Sequence, residues 1–201
     1  MRAKDGHSAE AVFWAWFRQN DEAIWNFESA PEVVFADLLN QLHRVHPDLT
    51  FEIGPEQNGV RDFVVSAGGM KAAFPAVERL VAAAPPLGRW KLIKFRPRRS
   101  EIGTIEIGDI IIDPKAVMFT IEPDGTKFGI TLFLGKLRDF DKDIHTQIGF
   151  LLLDETLGEY DVETQVGYIA ILPEEASNGL PKQPLRHLAA EFDRLKATRG
   201  R

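Results

Sequence analysis

Large apolar residues recur every three or four positions over the first quarter of the chain. Phe13, Trp16, Phe17, Ile24 and Phe27 form one stripe, which Trp14 and Trp25 widen. That spacing predicts a helix from a Ser8 cap to about Phe27, buried on more than one side. Ser29-Ala30-Pro31-Glu32 reads as a capping box with proline in the first turn. It opens a second helix carrying Val34, Leu38, Leu42 and Val45, which His46-Pro47 closes. The period then drops to two. Thr50 to Ile53 and Val60 to Ser66 read as strands joined through Gly54, Pro55, Asn58 and Gly59. A third helix is predicted over about Lys71 to Ala84, stopped by Pro85-Pro86, and then a strand from Trp90 to Phe95.

The second half runs in the same order. Val117 to Glu122 and Lys127 to Leu134 flank the turn signal Pro123-Asp124-Gly125. A helix is predicted from about Asp141 to Leu157, and a last strand from about Glu163 to Leu172. Ile105 to Asp113 alternates weakly and adds an edge strand. Pro173 to Pro184 reads as a loop, and Leu185 to Lys196 as a short closing helix. The predicted class is α+β: mainly antiparallel mixed sheet built from two strand–strand–helix–strand halves, after an N-terminal helical pair. We expect a single domain over 1–201, with 48–96 and 116–172 as pseudo-repeat halves. Gly149 costs helix propensity mid-helix, which points to close approach of a strand or another helix.

Composition narrows the chemistry. The 201 residues include no cysteine, which removes disulfides, thiol nucleophiles and thiolate metal sites. Thirty acids against 24 bases give a net charge of −6, which argues against nucleic acid as the main partner. The basic run Arg89 to Arg99 is read as a strand edge that deters aggregation rather than as a phosphate track. No apolar run is long enough for a membrane span and no secretory signal is visible, so no membrane partner and a cytoplasmic address are expected.

Few polar residues stand out. Glu155, Glu159 and Asp161 are acids at the end of the long helix, and His145 lies near its start. An inward-facing Glu155 would have a raised pKa suited to acid–base work; the competing reading puts Glu155 at the rim and Glu159 to Asp161 in an exposed turn. Asp139, Asp141, Asp143 and His145 alternate like the start of a calcium loop, but lack its glycine and closing glutamate. His43 and His46 share a helix face without a third ligand. No metal and no cofactor are expected, because known signatures are missing. Ser66-Ala67-Gly68-Gly69-Met70-Lys71 joins strand to helix, so Ser66, Gly68, Gly69 and Lys71 are candidates to hold an anion. Trp14 and Trp25 are candidates for an interaction surface, with a protein partner or a second copy.

The combination Phe13-Trp14-Ala15-Trp16-Phe17, His46-Pro47-Asp48-Leu49 and Leu157-Gly158-Glu159-Tyr160-Asp161-Val162 resembles a family of uncharacterised bacterial proteins, a domain of unknown function. The likeness spans most of the chain. It implies a bacterial, cytoplasmic α+β protein and carries no catalytic residue. The favoured expectation is a non-enzymatic binding or protein-interaction module. The alternative is a hydrolase using the carboxylates around Glu155, Glu159 and Asp161, with His145 as base. A cleft gathering those acids would favour the enzyme; an apolar patch at Trp14 or Trp25 would favour the module.

Overall fold

A computed structural model describes residues 8–107, 110–135, 142–174, 176, 179 and 181–199. The chain divides into two compact units, Met1–Arg96 and Pro97–Arg201. Each contains one strand–strand–helix–strand half, and the whole is α+β as the periodicities predict.

The first unit opens with α1 (Ala9–Gln19), capped by the Ser8 hydroxyl, which accepts the Ala11 N–H. The predicted single helix breaks at Asn20, and α2 (Asp21–Trp25) follows. Asn20 explains the break. Its side-chain amide donates to the Trp16 carbonyl at 2.9 Å, competing for the helix's own acceptor. Helix α3 (Pro31–Val45) then leads into β1 (Thr50–Ile53) and β2 (Arg61–Ser66), which pair antiparallel with Thr50 opposite Ser66. The third helix also starts late. Lys71–Ala73 form a 3₁₀ turn, and α4 spans Phe74–Ala82. Pro75 is the reason, since its ring forbids a helical carbonyl four residues before it. Helix α4 carries the chain over to β3 (Trp90–Lys94), parallel to β2. The sheet order is β1-β2-β3. Its core joins Phe13, Phe17, Leu38, Leu42, Phe63 and Leu80.

The second unit begins with β4 (Ile105–Ile107) and β5 (Ile110–Ile112), an antiparallel pair where one edge strand is predicted. The alternation is interrupted in the sequence by Gly108-Asp109, a residue pair that favours turns. Strands β6 (Met118–Asp124) and β7 (Lys127–Leu134) form the expected hairpin, with Gly125 at φ +57° in the turn. Pro123 is tolerated because the other neighbour of β6, strand β9 (Gln183–Pro184), pairs only with Met118 and Phe119. Helix α5 (Lys142–Leu157) follows, and Gly158 at φ +83° turns the chain straight into α6 (Glu159–Gln165). Strand β8 (Val166–Pro173) runs parallel to β7, giving the order β8-β7-β6-β9. A 3₁₀ turn at Leu185–His187 and helix α7 (Leu188–Arg199) end the unit.

The apolar face of α5 is buried. Ile148, Leu152, Leu153 and Leu157 join Phe119, Ile130, Leu132 and Phe192 in one core. Phe150 lies on the outer face, 39% exposed. Gly149 does mark a close approach. A Cβ there would stand 3.1 Å from Cγ1 of Ile171 on β8, and nearer still to its Cδ1. Among the described residues, no helix is long and apolar enough to cross a membrane.

Candidate functional site

The polar chemistry of the second unit gathers at the C-terminal end of α5. A helix leaves its last carbonyls without amide partners. Here Gly158 turns away after its own N–H reaches the Asp154 carbonyl at 2.9 Å. The segment after Pro97 supplies the missing donors. Arg98 Nε donates to the Leu157 carbonyl at 2.7 Å, and the Arg99 backbone N–H to that of Glu155 at 2.8 Å. One guanidinium group and one backbone N–H thus sit at the negative end of the helix dipole.

These arginines also bind the acids singled out above. Glu155 is 26% exposed at the helix rim, with its carboxylate 2.6 Å from Arg99 Nε. It occupies the rim and not an inward-facing position. Asp161, 18% exposed, accepts from Arg98 and from Lys196, each at 2.7 Å. Arg98 further grips both oxygens of Asp193, at 2.8 and 2.9 Å. The Asp193 carboxylate holds the Arg98 pKa above its ordinary value, and Arg98 in turn holds the Asp193 carboxyl below its own. Glu159 is completely buried in the first turn of α6, not in an exposed turn. The Val162 N–H bonds to the Gly158 carbonyl at 3.1 Å, so the helix opens at Gly158, and it ends before Val166, the first residue of β8. His145 lies ten residues before Glu155 on α5, about 15 Å along the helix axis at a rise of 1.5 Å per residue. The structure therefore places it away from those acids.

A cavity of about 440 Å³ opens beside this junction. Its floor is apolar, with Ile102, Pro114 and Leu185, and the buried Thr156 of α5 adds a hydroxyl that donates to the Leu152 carbonyl at 2.6 Å. Its rim carries Arg99, Lys115 and Arg186, with Glu101 as the one acid among the described residues that line it. Local structure sets these positions. The Asp113 carboxylate accepts the Lys115 N–H at 2.9 Å and starts a 3₁₀ turn. The Leu185 N–H donates to the Val117 carbonyl at 2.9 Å, which anchors the turn bearing Arg186. Lys115 and Arg186 were not evident from the sequence. They lie 71 positions apart, in different turns, and no periodicity links them. Only Arg99 belonged to a visible basic run.

The remaining candidates lie in the first unit. Ser66 is buried, and its hydroxyl accepts the Gly68 N–H at 2.9 Å. Met70 donates its N–H to Ala67 at 2.9 Å. Gly68 and Gly69, at φ +59° and +79°, build a tight turn, with Lys71 exposed beyond it. Two of the amides that an anion would need are thus bonded within the turn. Trp14 is 2% exposed, with its indole N–H bonded to the Leu80 carbonyl at 2.7 Å, so it presents no surface. Of the aromatics on α1 and α2, Trp14 is one that packs inward. Trp25 is half-buried between Arg61 and Arg89, whose guanidinium carbons lie 5.2 and 4.6 Å from its ring. Asp139, Asp141 and the Asp143 side chain lie outside the described residues. Among those described, no three His, Asp or Glu side chains converge as metal ligands would.

No protein-family model, curated protein or solved structure matches this chain, in keeping with its resemblance to a family of no assigned activity.

Proposed function

We propose that this chain is a non-enzymatic cytoplasmic binding module, and that the cavity beside the end of α5 is its binding site. The observation that supports this reading is the cavity itself, about 440 Å³ with an apolar floor and a charged rim. That size and lining fall within the range of small-molecule sites. The acids that a hydrolase would need are otherwise engaged. A general acid or base has to exchange a proton with substrate. Asp161 is held between two cations and Glu155 against a third, all within 2.7 Å.

Thermal melting against a mixed set of amines, neutral compounds, carboxylic acids and phosphates tests the reading, because a ligand of the folded form raises the melting point. At least one class is expected to stabilise the chain, and Ala189→Leu, which narrows the cavity, to abolish the effect. Two results would overturn it: no stabilising class at all, or ester, phosphate or glycoside hydrolysis that Asp161→Asn removes.

A further inference from the structure

Resting on that reading, we propose that the cavity takes a small organic acid, an apolar body bearing a single carboxylate or a single phosphate group, held by Lys115 and Arg186. The rim is the argument. Neither Lys115 nor Arg186 has an ion-pair partner or a side-chain hydrogen bond among the described residues. Arg99, the third cation of the rim, is committed to Glu155 at 2.6 Å. In a chain of net charge −6, two uncommitted cations facing one cavity create a local field opposite to that of the whole molecule. Charge-assisted hydrogen bonds to a carboxylate or phosphate are the strong ones available to such a pair.

Glu101 sets the upper limit on charge. It lines the same opening, so a polyanion such as a nucleoside triphosphate would meet a like charge along with the two cations. The floor selects the rest of the ligand. Ile102, Pro114 and Leu185 reward an apolar body and offer nothing to a bare inorganic ion.

Calorimetric titration of the full chain with benzoate, phenyl phosphate, benzyl alcohol and benzylamine separates the alternatives. At least one of the two acids is expected to bind, and the alcohol and the amine at least about tenfold more weakly. Lys115→Gln and Arg186→Gln, both at exposed positions, should each weaken the acid about tenfold at an unchanged melting point. Glu101→Gln should strengthen it. Raising the salt concentration should weaken the acid and leave the alcohol unaffected. The inference is overturned if benzyl alcohol binds as tightly as the acids, if neither acid binds at millimolar concentration, or if both glutamine variants keep full affinity. In each of these cases the binding-module reading survives whenever the mixed set still contains a stabilising class lost in Ala189→Leu, so the two failures are distinguishable.

Discussion

Arg98 joins three parts of the second unit through one planar group. It closes the end of α5 through Leu157, pairs with Asp161 on α6 and grips Asp193 on α7. A lysine cannot reproduce that fork, because its ammonium is a point donor. Arg98→Ala is expected to cost about 1–3 kcal/mol at neutral pH, since it leaves Asp161 and a helix-terminal carbonyl short of a partner. The cost should depend on acidity in a definite direction. Arg98 lowers the pKa of Asp193 in the folded chain. That stabilisation is present above the unfolded value of about 3.9 and is lost as pH falls through the folded pKa. Denaturation of both chains from pH 7 to pH 2 should therefore show their stabilities converging below about pH 4. A constant gap across that range would mean that the charge pair contributes nothing.

At the scale of elements, the helix–strand contact at Gly149 decides how closely α5 can lie on β8. Gly149→Val would place side-chain atoms where Ile171 now sits, with a cost of about 1–3 kcal/mol from overpacking. Shortening the neighbour should restore part of that loss, so Gly149→Val with Ile171→Ala is expected to be more stable than the sum of the single changes. Urea denaturation of the four chains completes the cycle; strict additivity would show that the two side chains do not meet. This contact was legible in the sequence because a mid-helix glycine is a local anomaly with few explanations. Strand positions and the α+β class were legible for a related reason, since short alternating runs are bounded by turn residues such as Gly125. Three details were not. Asn20 interrupts a helix through a side-chain bond, Pro75 delays one through a steric clash, and Gly158 starts α6 where an exposed turn was expected. Each depends on a single residue overriding its neighbours. The cavity lay further from reach, because Lys115 and Arg186 come to line one opening only through tertiary structure.

For the whole molecule, the division at Arg96 and Pro97 separates two hydrophobic cores that share no buried residue among those described. Leu38 belongs to one and Leu132 to the other, and both are fully buried. Leu38→Ala and Leu132→Ala should each cost about 2–5 kcal/mol. With no common packing partner among the described residues, the double variant should equal their sum to within about 0.5 kcal/mol. A larger discrepancy in denaturant titrations would reveal energetic coupling that the separate cores do not predict.

The same boundary sorts the chain's natural chromophores. All four tryptophans, at 14, 16, 25 and 90, precede Pro97, whereas both tyrosines, at 160 and 168, follow it. Indole emission therefore watches the N-terminal unit alone, with Trp14 sealed from water as its most sheltered reporter. Phenol absorbance watches the other unit. The folding of each can be followed by light, in the intact chain, without attaching a dye.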